Sequence, residues 1–162
     1  MWKISYNWTN YKWCNGDYNQ LTKYCPTSQS GYWDGAGLPD DKTQLDPEDD
    51  AAHVNWGGSW RMPTDAEWSE LRENCTWTWT TQNGIRGRLV TSKTNGNSIF
   101  LPAAGRRYDS SLNFVGSCGD YWSASLYTDY PGFAWGVYFN SDDVSRDYYR
   151  RYYGFSVRPV TE

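Results

Sequence analysis

Three pairs of adjacent carboxylates and one histidine are the groups of this chain that could do acid–base chemistry. The pairs are Asp40/Asp41, Asp49/Asp50 and Asp142/Asp143, and the histidine is His53. Catalysis by a carboxyl pair needs both groups within hydrogen-bonding reach of one substrate. Adjacent residues point apart on a helix or a strand, so we expect the pairs to be solvated surface. His53 shares no local motif with a serine or cysteine and is expected to be structural, so no catalytic residue is predicted.

Oxygen ligands for calcium could come from the stretch Asn140-Ser141-Asp142-Asp143. A helical calcium loop also needs a glycine turn and a distal glutamate, and this stretch has neither. The cysteines form no CxxC pair, and a single histidine cannot complete a zinc ligand set. We therefore predict no metal site and no cofactor, with calcium at residues 140–143 as the weaker alternative.

The four cysteines, Cys14, Cys25, Cys75 and Cys118, allow three disulfide pairings. In an oxidising compartment we expect one or two structural disulfides. A Cys14–Cys25 bond would close the shortest loop, and a Cys75–Cys118 bond would then join a helix end to a later loop. The alternative is that the cysteines are buried free thiols.

Binding chemistry is concentrated between residues 121 and 153. This segment holds 8 of the 14 tyrosines and four aspartates, with serine, glycine and asparagine, and it has no Lys, Glu, Gln, Met, Ile, His or Cys. The same vocabulary is typical of antibody-type binding loops, where tyrosine supplies contact area at low entropy cost. Exposed aromatic clusters on loops indicate recognition. Within the segment, Trp122, Trp135 and Phe139 are expected to be core, as are Phe155 and Val157 beyond it.

Two helices are predicted upstream of this segment. Asp46 is expected to cap a helix that ends near Asn55, with Pro47 at its first position. Thr64 and Glu67 have the spacing of a capping box, which predicts a helix over residues 65–74.

Short strands are predicted after the second helix. The strict alternation of residues 76–80 predicts a strand, and Asn83-Gly84 predicts a turn after it. Residues 89–92 and 98–101 flank Asn95-Gly96, which predicts a hairpin. Residues 135–140 and 154–160 are the strands expected near the C-terminus.

Composition limits the class of protein and its partners. The chain has 162 residues, which suits a single domain over residues 1–162, with no internal repeat and no linker. A net charge of −4 without a basic stripe excludes nucleic-acid binding. No stretch has membrane-spanning length, so no direct membrane insertion is expected. No signal peptide precedes Trp2, so the chain is expected to be either cytosolic or part of a larger secreted protein, and the aromatic, lysine-poor composition favours the second.

Several motifs resemble one known family. Trp60-Arg61-Met62-Pro63-Thr64, within residues 57–68, resembles the signature of the formylglycine-generating-enzyme-like branch of the C-type lectin fold. Residues 11–16, 45–52, 57–75, 98–105, 121–125 and 154–160 together resemble the Fibrobacter major paralogous domain family of bacterial surfaces. The resemblance implies an α+β C-type lectin fold with two helices, short twisted antiparallel strands and many loops. Residues 1–10 depart from the family, whose N-terminal strand would pair with residues 156–160.

The resemblance also bears on activity. Formylglycine-generating relatives use two late cysteines and iron-dependent relatives use several histidines, whereas this chain has no cysteine after Cys118 and one histidine. It implies a binding protein and not an enzyme.

Variable proteins of diversity-generating retroelements share this fold, and they diversify asparagine codons in a C-terminal segment. Such codons yield Tyr, Asp, Ser, Gly, Phe and Arg but not Lys, Glu, Gln, Met or Trp. Residues 121–153 are similar to such a variable segment, with Trp122 and Trp135 as fixed positions. The positions expected to bind ligand are Tyr127, Asp129, Tyr130, Gly132, Phe133, Gly136, Tyr138, Ser145, Asp147, Tyr148, Tyr149, Tyr152 and Tyr153.

The sequence thus yields three functional hypotheses. The first is a cell-surface or extracellular receptor or adhesin whose diversified segment binds a protein or glycan on another cell. The second is an undiversified surface or pilus-tip module with one fixed ligand, and the third is an enzyme with an unrecognised site. On the first hypothesis, serine at Tyr148, Tyr149, Tyr152 and Tyr153 should leave thermal stability nearly unchanged.

Overall fold

The computed structural model describes residues 7–17, 20–27 and 40–161. In this part of the chain a 3-10 turn, η1, precedes two helices and eight strands, which make a mixed α+β fold that is mostly β. Their bounds are η1 Trp8–Asn10, α1 Ala51–Trp56, α2 Asp65–Asn74, β1 Cys75–Gln82, β2 Ile85–Ser92, β3 Ser98–Pro102, β4 Arg106–Tyr108, β5 Ser111–Asn113, β6 Gly119–Leu126, β7 Phe133–Phe139 and β8 Val144–Arg150.

The predicted capping box begins α2. The Thr64 hydroxyl accepts a hydrogen bond from the Glu67 amide at 3.2 Å, and the Glu67 carboxylate accepts one from the Thr64 amide at 2.7 Å. Arg61 donates two further hydrogen bonds to the same carboxylate, at 2.8 and 2.7 Å. The prediction of a helix over residues 65–74 is therefore confirmed, and Arg61 ties the preceding chain to it.

Acid should weaken this helix start. Hydrogen bonds from Arg61 are the main reason that the pKa of Glu67 is lowered from its usual 4.5 to about 2. Partial burial acts in the opposite direction, and hydrogen bonds from Thr64 lower the pKa further. A carboxyl whose pKa is lower in the folded state adds stability above its unfolded pKa, and this is lost as pH falls. We expect the wild type to lose more unfolding free energy than Glu67→Gln between pH 4.5 and 2, as measured by urea denaturation. Parallel pH profiles for the two proteins would contradict this.

The first helix begins later than predicted. Its cap is Asp50 and not Asp46, because one Asp50 carboxylate oxygen accepts hydrogen bonds from the amides of Ala52 and His53 at 2.8 and 3.0 Å. The carboxylate of Asp46 is instead held by Lys23 and Lys42, each at 2.6 Å. Residues 47–49 form a turn, so the expected helix is shortened to α1.

The first large sheet has the order β1-β2-β3 and is antiparallel. Asn83 and Gly84 form its first turn, with positive φ angles of 50° and 79° and Gln82 paired with Ile85. A two-residue Asn-Gly turn of this kind matches the twist of the strands that it joins. The second hairpin, predicted around Asn95-Gly96, joins β2 to β3. Both turn predictions are confirmed.

The second large sheet has the order β6-β7-β8, and β4 and β5 form a small separate ribbon. Strand β7 corresponds to the strand predicted over residues 135–140. The sequence did not predict β6 or β8. Strand β8 pairs with β7 without interruption, from Phe133 opposite Arg150 to Phe139 opposite Val144.

The prediction of a strand over residues 154–160 is wrong. In its place are three single bridges, which join Gly154 to Arg107, Ser156 to Tyr121 and Val160 to Arg61. The segment thus pairs with three different parts of the chain in turn, so no continuous ladder forms. The resemblance places the departure from an N-terminal strand at residues 1–10. Of these, residues 1–6 lie outside the described residues, and Trp8–Asn10 form η1.

The main core lies between α2 and the two large sheets and contains aromatic side chains, as expected. Trp68, Tyr121 and Phe139 are buried there with Val90 and Leu101. Of the side chains predicted as core, Phe139 is buried. Trp122, Trp135, Phe155 and Val157 are half-buried. Trp122 and Val157 pack against a smaller buried cluster, which consists of Ala52, Met62 and Ala124.

The expected disulfides do not form. Cys14, the expected partner of Cys25, is a free thiol, and Cys75 and Cys118 are free as well. The Cys118 thiol donates a hydrogen bond to the buried Asp120 carboxylate at 3.5 Å. Burial, together with the charge of Asp120, raises the pKa of Cys118 to about 12, so the thiol stays protonated and unreactive. The alternative of free thiols is thus the better description, although of these three only Cys118 is buried, and Cys14 and Cys75 are half-buried.

Candidate functional site

The strands of the second sheet divide the expected binding residues between two faces. Side chains alternate along a strand, so Phe133 on β7 shares a face with Tyr148 on β8, and Tyr149 lies on the opposite face. Neighbours in sequence are therefore not neighbours on the surface. The thirteen positions do not form one continuous set.

One face carries a cluster that we call the aromatic–arginine patch. It consists of Tyr127, Tyr130, Phe133, Trp135, Arg146, Tyr148 and Arg150. The rings of Tyr127 and Tyr148 are stacked with 4.0 Å between centroids, and Trp135 meets Tyr127 edge-on at 4.8 Å. Phe133 lies 5.7 Å from Tyr148 and 6.4 Å from Tyr130.

Two of the five rings of this patch are open to solvent, and the other three are half-buried. Tyr130 is 48% exposed and Tyr148 is 38% exposed, although both are large side chains. The same face of β7 and β8 continues into the core at Val137 and Val144, which contact the cluster around Trp68. The patch is thus the uncovered end of a sheet face whose other end is packed in the core.

An ion pair fixes one edge of the patch. Arg146 donates two hydrogen bonds to the carboxylate of Asp65, at 2.6 and 2.7 Å. Its guanidinium carbon lies 3.3 Å from the ring centroid of Trp135, and that of Arg150 lies 5.7 Å from that of Phe133. Arginine stacked on aromatic rings gains a cation–π attraction and loses side-chain freedom. The patch is therefore ordered by contacts within the folded domain.

Asp129 gives the patch an acceptor at its rim. Desolvation is the main cause that raises the pKa of Tyr127, and its hydrogen bond to Asp129 is the second. This phenol therefore stays protonated at neutral pH. Asp129 itself is exposed. The patch thus offers aromatic surface beside the guanidinium of Arg150 and the carboxylate of Asp129, while Arg146 is paired with Asp65.

The opposite face holds Tyr138, Ser145, Asp147 and Tyr149, together with Gly136. Tyr149 packs edge-on against Phe155 at 4.9 Å, and burial is the main reason that its pKa is raised. The Tyr138 hydroxyl accepts a hydrogen bond from the Asn140 amide at 3.0 Å. Asp147 is exposed but accepts a hydrogen bond from the Tyr148 amide at 2.8 Å. These residues are largely engaged within the fold.

The two expected glycines are both buried. At Gly136 an added Cβ would lie 2.8 Å from the carbonyl oxygen of Tyr121, so the position has no room for a side chain. At Gly132 the nearest atom would be a ring carbon of Trp8 at 3.4 Å, an ordinary contact. Gly136 is thus a structural glycine and not a contact position.

Tyr152 and Tyr153 follow the end of β8 and are outside its alternation. Tyr152 is 7% exposed and packs in a cluster with Leu21, its ring 5.1 Å from that of Trp8. Tyr153 is half-buried, 5.3 Å from Tyr108. Tyr152 is therefore part of the packing between the N-terminal segment and the end of β8, which corrects its assignment to the binding surface.

Three patch residues were missing from the sequence prediction, namely Trp135, Arg146 and Arg150. Trp135 was assigned to the core, and the two arginines were not assigned a role. A signal was present, since Arg146, Tyr148 and Arg150 recur with period two. This alternation is visible only when the strand is taken to begin at Val144, because a segment that begins at Tyr148 does not include Arg146.

The acidic pairs do not converge on a reaction site, but the expectation that they are solvated surface is wrong for Asp49 and Asp50. Both carboxylates are buried, because Lys23 and the Tyr24 hydroxyl hold the first and main-chain amides hold the second. Asp142 and Asp143 are exposed in a turn, where the Asn140 side chain accepts hydrogen bonds from both of their amides at 2.7 Å. Asp46, Glu48 and Asp49 are close enough together to hold a metal. The Lys23 ammonium, however, lies 2.6 Å from both Asp46 and Asp49. A resident cation therefore already neutralises this acidic group.

Among the described residues, the side chain of one carboxylic acid, Asp120, is fully buried. Burial raises the pKa of Asp120, against the effect of Arg106 at 3.3 Å and of the Cys118 thiol. The side chain of Asp120 has no exposed surface, so its role is structural. His53 also makes a structural contact, because its Nδ1 atom lies 3.3 Å from the carbonyl oxygen of Trp60.

Comparisons with known proteins give no relative. The chain matches no protein-family model, no curated protein and no solved structure. Within residues 7–17, 20–27 and 40–161, neither helix has the length and apolar character needed to cross a lipid bilayer.

Proposed function

We propose that this domain is a non-enzymatic ligand-binding module, a receptor or adhesin, and that it binds through the aromatic–arginine patch. The observation that carries the proposal is the exposure of Tyr130 and Tyr148 within a cluster already ordered by stacking and by the Asp65–Arg146 ion pair. Tyrosine, tryptophan and arginine dominate the energetic centres of protein interfaces. A surface ordered in advance loses little entropy on binding.

The proposed context is a C-type lectin fold of the Fibrobacter major paralogous domain type, displayed on a cell surface or outside the cell. The motif around Trp60 and Pro63 supports it, together with two helices and small antiparallel sheets. The ligand is a protein or a glycan on another cell. In a retroelement-diversified version, the patch positions Tyr127, Tyr130, Phe133 and Tyr148 would vary around a constant Trp135.

Binding should depend on the patch and not on exposed tyrosine in general. Tyr130→Ser combined with Tyr148→Ser is expected to weaken binding at least tenfold, about 1.4 kcal/mol, on arrays of bacterial glycans and surface proteins. Tyr108→Ser is a matched control, since Tyr108 is 49% exposed but lies on the β4–β5 ribbon. Equal weakening by both variants, or wild-type domain that binds no feature of either array, would contradict the proposal.

A second candidate is a fixed surface or pilus-tip module with one ligand. The burial of Tyr152 and the lack of room at Gly136 favour it, because free variation at those positions would damage the fold. Amplicon sequencing of the gene across a growing population separates the two. Variation at the codons of Tyr127, Tyr130, Phe133 and Tyr148 indicates diversification, and an invariant segment indicates the fixed module.

A further inference from the structure

A cleft of about 550 Å³ lies on the side of the second sheet opposite the aromatic–arginine patch. Trp122 and Ala134 line it, and both project from the sheet face opposite to that of Phe133 and Trp135. The N-terminal segment around Trp13 forms the facing wall. The cleft and the patch are therefore separate surfaces, and the cleft volume lies within the range of about 300–1,000 Å³ that is common for small-molecule sites.

Aromatic rings face the cleft from both walls. Five of them are half-buried and so retain accessible surface, namely Tyr11, Trp13, Trp122, Tyr153 and Phe155. Aromatic faces carry partial negative charge and attract the partly positive edges or C–H groups of a second ring. Walls of this kind favour a flat, ring-shaped ligand over an extended chain.

A buried cation lines the same cleft. Arg151 is 7% exposed and donates hydrogen bonds to the carbonyl oxygens of Tyr24 and Lys23, at 3.0 and 3.3 Å. Its guanidinium carbon lies 5.2 Å from the ring centroid of Tyr11. Among the described residues, no carboxylate forms an ion pair with Arg151, and its Nε atom has no hydrogen-bond partner. A buried guanidinium that lacks an anion is costly to the fold.

Two acidic side chains line the cleft, and both are already paired with lysine: Glu48 lies 3.5 Å from Lys23, and Asp49 is held more closely. Asp49 has 2% of its side chain exposed and is held by Lys12 at 3.0 Å and by Lys23 at 2.6 Å. The Tyr24 hydroxyl donates a third hydrogen bond to it at 2.6 Å. Arg151 is thus the charge at this cleft whose counter-ion is left for a ligand to supply.

We propose that the cleft binds a six-membered ring that carries a carboxylate. The ring lies between the aromatic walls, and the carboxylate faces Arg151. Charge-assisted contacts between arginine and carboxylate are strong and directional. Two sources have this chemistry, an acidic sugar such as a uronic acid and an aromatic carboxylic acid.

Four probes separate the charge from the ring. Glucuronic acid and phenylacetic acid are titrated into the whole chain beside their neutral analogues, glucose and benzyl alcohol, with binding followed by NMR shifts of the tryptophan side chains. We expect at least one acid to bind ten times more tightly than its neutral analogue, and the acid that does so identifies the source. Equal affinities for acid and analogue, or no binding of either acid at about 10 mM, would overturn the proposal.

Variants then locate the binding. Trp13→Ala should weaken binding of the acid at least fivefold, whereas Trp13→Phe, which keeps a ring, should retain most of it. Tyr148→Ser changes only the patch and should leave the affinity unchanged. Unaltered affinity in Trp13→Ala would overturn the assignment to this cleft. Because the patch variant serves as the control, failure here is distinguishable from failure of the proposed receptor function.

Discussion

Serine in place of Tyr152 is expected to lower the free energy of unfolding by about 3 kcal/mol, because removal of a buried aromatic ring costs about 3–5 kcal/mol. The ring is 7% exposed and lies 5.1 Å from that of Trp8 and 5.0 Å from that of Tyr153. Its loss would leave a cavity where the N-terminal segment packs against the end of β8. For a domain of this size the melting temperature should fall by about 10 °C.

Tyr148→Ser is the matched control for this variant. Tyr148 is 38% exposed, and its ring contacts are all within the aromatic–arginine patch. Its replacement should cost about 1 kcal/mol or less, since a partly exposed aromatic pair contributes about 0.5–1.5 kcal/mol beyond burial. Melting temperatures close to that of the wild type for both variants would contradict the role of Tyr152 in packing and favour the sequence-based expectation that serine is tolerated there.

Alanine in place of Asp50 is expected to lower the free energy of unfolding by about 4 kcal/mol. The carboxylate is buried and accepts hydrogen bonds from three main-chain amides, those of Ala52, His53 and Met62, at 2.8, 3.0 and 2.8 Å. Each buried donor left unpaired costs about 1–3 kcal/mol. The side chain both caps α1 and ties it to the chain that leads into α2.

Urea denaturation of Asp50→Ala beside two controls checks this prediction. Asp50→Asn keeps one oxygen for the α1 amides but places its amide group against that of Met62, so an intermediate loss is expected. Asp142→Ala removes an exposed carboxylate and should change stability by less than about 0.5 kcal/mol. A loss at Asp50 no larger than that at Asp142 would contradict the structural role.

The elements that could be predicted from sequence are those whose contacts are local. The capping box of Thr64 and Glu67 needs only residues three apart, and the Asn83-Gly84 turn needs only its own positive φ angles. The cap of α1 could not be chosen in this way. Asp46 and Asp50 are both suitable N-cap residues. In the folded structure two lysines, Lys23 among them, form ion pairs with the Asp46 carboxylate and so leave the cap to Asp50.

Strand β8 and residues 154–160 show where the pattern of residue types in the sequence fails to predict strands. The residues of β8 are polar or aromatic at almost every position, so burial does not impose a clear alternation on them. Residues 154–160 have the composition of a strand but form single bridges with partners far apart in sequence. Pairing partners, and not composition, decide whether such a segment becomes a strand.

The candidate site was partly predictable for the same reason. Amino-acid types identified the aromatic segment correctly as the place where large rings gather, and Tyr127, Tyr130, Phe133 and Tyr148 do meet. Composition alone could not tell which tyrosine is packed inside, so Tyr152 was misplaced. Nor could it reveal that Arg146 would be locked by Asp65, which lies 81 residues earlier.

The alternation along β8 has a practical consequence for protein engineering. A combinatorial library that randomises all of Val144–Arg150 would place nearly half of its diversity on the face away from the patch, where changes disturb packing without altering contacts. Confining the degenerate codons to Tyr148 and Arg150, with Phe133 on the adjoining strand, would shrink the library exponentially. Nearly every clone screened would then carry a different version of the aromatic–arginine patch on an intact scaffold.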